Sequence, residues 1–462
     1  MEWESLIAIA ALVGIVWGAV IFLRGGLLAG ALTVLLAGTC CGYPALYVSA
    51  GPVPLTSDRI LWALLMVQLV VWWRQGLTAS RHIGRSEVLL LAFMGVLAAN
   101  VAMHDWTINR YQPVSQFVFY YLMPLGIYWA GWQARITERG LKTMFVLMGI
   151  FGVYLAVTAI AEKLELTALV FLPYISSSEY EEFLGRARGP LLNPAGNGML
   201  LGLCLGAGLM SWPQSPRWGR LLLVGYTALL CLGIFCTSTR SAWMGGGLGL
   251  LLLVLLVLPR VYRPWLLLAA LLGSATLAVA QWDNIVEFKR DKFVSAHDTA
   301  SSAQLRPILA KIAWKMFCDH PIVGCGLGHY IDEHGKYLSD RDSDMPLEQG
   351  RGYAQHNVWL SLLTETGLIA AMLFTLVVLA WLRSGWRLWQ AGNAPLWMRQ
   401  QGLLFLVLAA NYLVNGMFQD MTIIPMVHTI LFFLAGVTVN LQTQAAEWEG
   451  RTAAVVASGE QG

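Results

Sequence analysis

The sequence predicts an all-α polytopic membrane protein with about 12 transmembrane helices, because its apolar runs repeatedly reach the ~20 residues that a helix needs to cross a bilayer. Two further observations support this fold class. Only 12% of the 462 residues are charged, whereas a soluble domain carries about 25%. Hydrophobic residues make up 57% of the chain, and the mean hydropathy is +0.60. Most of the chain is therefore expected to avoid water.

Thirteen apolar runs are candidate membrane spans, and the second and third are the weakest. An even number of crossings would place both termini in the cytoplasm, which the charge pattern of the loops favours. We therefore expect one stretch before residue 73 not to cross fully. The candidate runs are residues 4–23, 27–48, 58–73, 87–103, 115–132, 142–161, 193–211, 219–237, 241–258, 264–281, 357–382, 401–418 and 421–440.

Lysine and arginine in the short loops predict the orientation, because basic loops stay in the cytoplasm. The intervening segments around 104–114, 162–190, 237–240 and 282–356 then lie on the opposite side. The basic loops are residues 74–85, 132–142, 212–220, 259–264 and 383–390.

The spans divide the chain into four parts. An N-terminal bundle over 1–281 precedes a large loop over 282–356, C-terminal membrane helices over 357–440 and a tail over 441–462 that we expect to be disordered. Within the loop, residues 303–318 place apolar side chains at the 3.6-residue period of an amphipathic helix, which could lie on the bundle or on the membrane surface. These side chains are Leu305, Leu309, Ile312, Ala313, Met316 and Phe317.

Arginines recur on the predicted non-cytoplasmic side. Arg186 and Arg188 precede a helix that opens at Asn193, and Arg240 lies at the turn between two spans. An arginine fork and a helix N-terminus can both bind phosphate oxygens. The alternatives are a capped helix with arginines on lipid headgroups and, for Arg240, a side chain that snorkels to the interface.

The large loop adds Arg306 and the run HPIVGCGLGHY at 320–330. The spaced glycines Gly324, Gly326 and Gly328 allow tight turns or close backbone approach. Such a pattern alone favours an ordinary loop over a phosphate site, because no strand and helix frame it. The alternating Asp340, Asp342 and Asp344 likewise favour a solvated loop over a metal site.

His356 and Asn357 stand at the start of a predicted membrane helix. A histidine there is often only a cap or a surface residue. Together with four arginines on the same predicted side, however, it indicates a polyanionic substrate. Histidine titrates near neutral pH, so it could take a proton from that substrate or its reaction partner.

These motifs resemble those of the O-antigen ligase and O-antigen polymerase superfamily of bacterial inner-membrane proteins. The pair His356-Asn357, nine residues and Gly367 are similar to its histidine signature, and Thr239-Arg240-Ser241 is similar to its Ser-Arg turn, with threonine first. Arg188-Gly189 and Asn193-Pro194 resemble its Arg-Gly and Asn-Pro pairs, although Ala195 follows where asparagine is common. The large loop carries further similar positions: Arg306, Trp314, His320-Pro321, Gly324, Gly326 and Gly328.

The resemblance implies an O-antigen ligase, a metal-independent glycosyltransferase without a cofactor, acting at the periplasmic face of the inner membrane. The donor would be O-antigen on undecaprenyl diphosphate, and the acceptor a sugar hydroxyl of lipid A core. The 282–356 loop would then be periplasmic. As a hypothesis, His356 is the general base of an inverting transfer. Arg188, Arg240 and Arg306 bind the diphosphate with Arg186 in support, and Asn357, Asn193, Gly324 and Gly326 support the site.

Three other functions remain open. A polymerase of the same superfamily would join two lipid-linked repeats. A protein O-glycosyltransferase would use the same donor with a serine or threonine acceptor. A transporter with an arginine-lined outer gate would show broken helices and related halves.

Overall fold

The computed structural model describes residues 2–43, 45, 47–50, 53–79, 81–104, 113–180, 182–280, 296–339 and 344–459. Within these ranges the chain is mostly helical, as predicted. The main helices are α1 (Glu2–Cys41), α2 (Ser57–Arg74), α3 (Arg85–Met103), α4 (Pro113–Gln116), α5 (Met123–Gln133), α6 (Glu138–Lys163), α7 (Pro194–Leu209), α8 (Arg217–Cys236), α9 (Arg240–Val257), α10 (Arg263–Ala280), α11 (Ala296–Asp319), α12 (Tyr330–Glu333), α13 (Val358–Gln390), α14 (Leu396–Gly416) and α15 (Pro425–Gly459).

Shorter elements complete the described chain. A π-helical stretch, Phe117–Leu122, joins α4 to α5. An antiparallel hairpin pairs β1 (Tyr47–Ala50) with β2 (Val53–Thr56), Tyr47 opposite Thr56. The 3-10 turns are Thr167–Leu169, Pro173–Ser176, Trp212–Gln214, Arg260–Tyr262, His334–Tyr337 and Leu347–Gly350.

Eight helices among the described residues are long and apolar enough to span a membrane. This supports a multi-pass protein but does not confirm the predicted count of 12. Five further predicted runs coincide with helical segments outside those eight: 4–23, 58–73, 115–132, 264–281 as far as Ala280, and 401–418 as far as Gly416. The eight are Arg24–Cys41, Arg85–Met103, Glu138–Lys163, Pro194–Gln214, Arg217–Cys236, Arg240–Val257, Val358–Gln390 and Pro425–Gly450.

The N-terminal region departs from its prediction. The runs 4–23 and 27–48 share helix α1, which is broken at Gly26 with φ +77°. Glycine adopts this left-handed backbone without steric cost. The helix ends at Cys41, and residues 47–48 at the end of the second run lie in the β1–β2 hairpin, which sequence periodicity did not predict.

Contacts among the basic loops define one end of the bundle. Arg81 donates to Asn440 Oδ1 at 3.1 Å and forms an ion pair with Glu447 at 2.7 Å. Arg135 donates to the carbonyl of Gly76 at 2.6 Å. The helix α15 continues to Gly459, through most of the predicted tail, and the ion pair with Glu447 holds the start of that region against the 74–85 loop.

The C-terminal helix α15 forms the centre of the bundle and crosses α5 closely. A Cβ atom on Gly436 would overlap the backbone of Tyr128, so only glycine permits this approach. Small residues at helix crossings are the usual means of packing in a bilayer, where apolar burial alone does not drive association. Tyr128 in turn stacks on Trp381 of α13 with ring centroids 5.6 Å apart.

The amphipathic helix predicted over 303–318 lies within α11, which packs against α13 and the turn Leu347–Gly350. Four of the six predicted apolar positions are fully buried there: Leu309, Ile312, Ala313 and Met316. The loop helix therefore packs on the bundle.

The glycine-rich loop packs against a break in α13. At Gly367 the backbone has φ +76° and ψ −176°. The loop before it supplies the missing partners: Leu368 donates to the carbonyl of Pro321 at 2.9 Å, and Cys325 donates to the carbonyl of Thr364 at 2.8 Å. The helix break and the loop thus satisfy each other's backbone groups.

Gly367→Ala should lower the thermal denaturation midpoint of the detergent-solubilised protein. Its left-handed backbone alone costs an L-residue about 1–2 kcal/mol, and a new Cβ would also overlap the Ile322 carbonyl. Gly247→Ala in α9 is the matched control, since no atom lies within 4 Å of its Cβ position. Equal midpoints for the two variants would contradict this account of the break.

Candidate functional site

Asn357 fixes the start of α13 and ties it to the end of α14. Its side-chain oxygen accepts from the backbone N–H groups of Trp359 at 2.9 Å and Leu360 at 3.1 Å, which are orphan donors of the first helical turn. Its side-chain nitrogen donates to the carbonyl of Met417 at 3.0 Å. The predicted supporting residue is therefore a helix cap that places the residue before it.

That residue is His356, whose backbone is left-handed at φ +48°. Non-glycine residues rarely adopt this conformation, and they do so where surrounding structure enforces it. Its Nδ1 atom is buried and has no hydrogen-bond partner among the described residues. The surrounding structure therefore holds the imidazole in place, and the described residues leave its Nδ1 atom without a hydrogen bond.

The glycine-rich loop, residues 320–330, is bonded to the first half of α13. Gly326 donates its N–H to the carbonyl of Glu365 at 2.9 Å, and Gly328 donates to the Glu365 carboxylate at 3.0 Å. Asn100 of α3 donates to the carbonyl of Val323 and accepts from Leu327 N–H at 2.9 Å. A Cβ on Gly324 would overlap the backbone of Glu365. Gly324 and Gly326 therefore pack closely against the backbone of α13.

The turn before α9 places Arg240. Ser238 is left-handed at φ +50°, and Lys163 donates to its hydroxyl at 3.2 Å. Arg186 is buried and donates to the Thr239 hydroxyl at 2.6 Å and to the Thr237 carbonyl at 3.3 Å. Arg186 thus holds the turn from which Arg240 extends. In contrast, the Nη2 atom of Arg240 is buried without a partner among the described residues.

Arg306 reaches the same region from α11. Its guanidinium carbon lies 5.1 Å from the ring centroid of Phe418, within the range of a cation–π contact. Loss of hydration and the positive charge of Arg240 both lower the pKa of Arg306. The two arginines are therefore close enough to repel each other, and neither has a carboxylate partner in the described part of the chain.

His356 completes the group. Burial, and next the positive charge of Arg306, lower the pKa of the imidazole from its ordinary value of 6.5. The neutral form, which can accept a proton, is therefore favoured at neutral pH. We call Arg240, Arg306 and His356 the cation cluster. Three separate segments of the chain contribute to it, and two of its members carry a buried polar atom with no partner.

Arg188 lies outside the cation cluster. Its guanidinium has five N–H donors, and all five are directed at backbone carbonyls of the preceding loop. Nε and Nη2 both donate to Ile175, at 3.0 and 2.7 Å, and the remaining donors bond to Ser177, Tyr180 and Glu182. The side chain has no donor left for a diphosphate in this structure, so its geometry favours a role in holding the 175–182 loop.

Asn193 likewise serves the local structure. Its side-chain oxygen accepts from Ala195 and Gly196 N–H, both at 3.0 Å, and so caps α7. This is the capped-helix alternative considered for the region. Of the predicted aspartate run, residues 340–343 lie outside the described residues, so Asp340 and Asp342 have no structural account.

Sequence reasoning missed the segment between α14 and α15. The sequence pattern indicates only a boundary between two spans there. In the structure the ring of Phe418 contacts the Arg306 guanidinium, and Asp420, two residues later, is buried. Glu365, in the first half of α13, was also missed. A signal existed for Glu365, because an ionisable residue within an apolar helix is expensive and usually functional.

These observations define a multi-pass helical membrane protein with a cationic site built from the turn before α9, the loop helix α11 and the start of α13. A family model described as O-antigen ligase matches residues 225–375, which include the whole cation cluster and Gly367. The match supports membership of the O-antigen ligase superfamily, as the resemblance predicts. Arg186 and Arg188 precede the matched residues. No curated protein matches the chain.

Proposed function

We propose that the protein is an O-antigen ligase of lipopolysaccharide biosynthesis. It would transfer O-antigen polysaccharide from undecaprenyl diphosphate to a sugar hydroxyl of lipid A core. The observation that carries the proposal is the cation cluster. Arg240 and Arg306 approach each other without a carboxylate partner among the described residues. Beside them, the Nδ1 atom of His356 has no hydrogen-bond partner there. A multiply charged anion would offset the repulsion between the two arginines and would bond to the polar atoms that lack a partner.

The diphosphate of the donor is such an anion. Arginine binds phosphate oxygens through paired N–H donors, and its charge persists despite the lowered pKa, since unperturbed arginine titrates far above neutral pH. As the glycosidic C–O bond breaks, its electron pair moves to the diphosphate oxygen and negative charge grows there. Cations fixed before the reaction stabilise that charge most effectively in a site with little water.

His356 would act on the acceptor. Its neutral imidazole takes the proton of the attacking sugar hydroxyl while that oxygen bonds to the anomeric carbon from the face opposite the diphosphate. One such displacement inverts the anomeric centre. The lowered pKa keeps the base unprotonated at neutral pH. In this scheme Arg186 supports Arg240 through the 237–239 turn.

The two ends of α3 support a periplasmic location of the site in the inner membrane. The loop before its first residue, Arg85, meets the basic 132–142 loop where Arg135 donates to the carbonyl of Gly76. Near its other end, Asn100 binds the glycine-rich loop beside the site. If the basic loops stay in the cytoplasm, the cation cluster faces the periplasm.

Transport is less well supported. A broken helix in a transporter leaves backbone groups to bind ions at a cavity. At the break in α13 the groups of Thr364, Glu365 and Leu368 instead bond to the glycine-rich loop. The break therefore serves local packing.

The test is genetic complementation in a cell that lacks its own ligase gene and makes O-antigen. We expect expression of this protein to restore a polymer ladder on lipid A core in a lipopolysaccharide gel. Absence of the ladder, with long polymer still on the lipid carrier and the protein stably expressed, would overturn the proposal. Restoration of chain length in a polymerase-deficient cell would instead identify a polymerase. Glycan on protein would identify an O-glycosyltransferase.

A further inference from the structure

We propose that a cavity beside the cation cluster binds the acceptor sugar, and that the Tyr330 hydroxyl is one of the groups that recognises it. The inference rests on the proposed function and adds where the second substrate lies. The cavity is enclosed by the first half of α13, the end of the glycine-rich loop, the π-helical stretch and the segment between α14 and α15.

The cavity has the size and lining of a sugar site. Its volume is about 330 Å³, at the lower end of the ~300–1,000 Å³ of small-molecule pockets, which suits one sugar unit better than a polymer. Polar side chains from four parts of the chain converge on it beside tyrosine rings. Its polar lining includes Gln116, Tyr121, Tyr330, Gln355, Glu365 and Asp420.

The cavity is lined by acidic side chains, in contrast to the cation cluster. Glu365 and Asp420 both line it, and burial raises the pKa of Asp420. Ionised or protonated, a carboxyl group can hydrogen-bond to hydroxyls. Carboxylates would repel a diphosphate, however. The donor headgroup and the hydroxyl-bearing acceptor are thereby directed to different sides of one site.

Tyr330 is one of the lining residues, and its hydroxyl is buried without a partner among the described residues. The residue as a whole is 1% exposed. Its ring is stacked on His334 with centroids 5.5 Å apart, so the side chain is firmly placed. A buried hydroxyl without a partner is costly, and each instance in a folded protein needs an explanation. A sugar hydroxyl in the cavity would supply the missing partner.

Two short segments join the cavity to the proposed chemistry. Gln355 lines the cavity, and the next residue is His356. Asp420 lines it too, two residues after Phe418, whose ring lies under Arg306. An acceptor bound in the cavity would therefore sit beside the base on one side and beside the diphosphate-binding arginines on the other.

The test compares purified wild type with Tyr330→Phe in transfer of lipid-linked O-antigen to rough lipopolysaccharide. We expect the KM for rough lipopolysaccharide to rise roughly tenfold, as for loss of a hydrogen bond, with the KM for the donor unchanged. The denaturation midpoint should not fall, because the hydroxyl has no partner in the protein. Tyr337→Phe is the matched control: its hydroxyl donates to Asp319 at 2.7 Å, away from the cavity lining, so both KM values should stay at wild type.

Glu365→Gln provides a second variant, and we expect it also to raise the KM for rough lipopolysaccharide selectively. An unchanged acceptor KM in Tyr330→Phe, or a rise in the donor KM instead, would overturn the pocket while leaving the transferase function intact. No transfer by the wild type would overturn the proposed function. In that case binding of rough lipopolysaccharide without donor still decides the pocket: weaker binding by Tyr330→Phe supports it, and equal binding overturns it.

Discussion

His356→Ala should lower the rate of glycan transfer by ~10²–10⁴-fold, the usual contribution of a general base. The stability of the protein should change little, because Nδ1 has no partner to lose and alanine brings no larger side chain to the left-handed backbone. The measurement is kcat with purified donor and acceptor, together with the lipopolysaccharide ladder in complemented cells.

Two companion variants make the His356 result specific. His356→Asn keeps a residue that tolerates a left-handed backbone but removes the base, so it should be as inactive as alanine. His82→Ala changes an exposed histidine in a basic loop at the other end of α3 and should retain full activity. Wild-type kcat in a folded His356→Asn would remove this residue from the mechanism.

Arg306→Gln should lower kcat by ~10²–10³-fold, as expected when one group that stabilises developing negative charge is lost. Arg306→Lys should recover only part of the rate, since lysine keeps the charge without the planar fork. Arg351→Lys is the control, because Arg351 lies in the same loop, is exposed and pairs only locally with Glu348. Near wild-type kcat in Arg306→Lys would argue against a bidentate contact with the diphosphate.

The same variants should separate in their pH profiles. The positive charge of Arg306 contributes to lowering the pKa of His356. Removal of that charge therefore raises the pKa, and the acid limb of kcat/KM in Arg306→Gln should move to higher pH. Arg306→Lys retains the charge and should keep the limb near its wild-type position. An acid limb at the same pH in wild type and Arg306→Gln would show that the titrating group is not influenced by Arg306.

Local sequence patterns predicted much of the local structure around the candidate site. The pair His356-Asn357 marks a helix start, and Asn357 does cap α13. The period of apolar residues in the loop located α11 and its buried face, including Ile312 and Met316. A helix cap and an amphipathic period depend only on residues within a few turns, so they are visible in one sequence.

Local patterns do not show the partners of a side chain when these lie elsewhere in the chain. The sequence predicts that Arg188 binds a diphosphate, whereas in the structure its five donors meet carbonyls of a loop six to thirteen residues earlier, partners that no residue pattern indicates. Asp420 and Tyr330 carried no signal of their own. They become neighbours across one cavity only when the segment after α14 folds over the glycine-rich loop.

The sequence by itself determined that this is a helical membrane protein, where its caps and its large loop lie, and which residue types could act on a charged lipid-linked substrate. Hydropathy, periodicity and charge are properties of short stretches, so they can be read from the sequence alone. Only the tertiary structure decided which cations meet. Arg240, Arg306 and His356 are up to 116 residues apart in number (356 − 240 = 116), and long-range packing of α9, α11 and α13 brings them together while it commits Arg188 elsewhere.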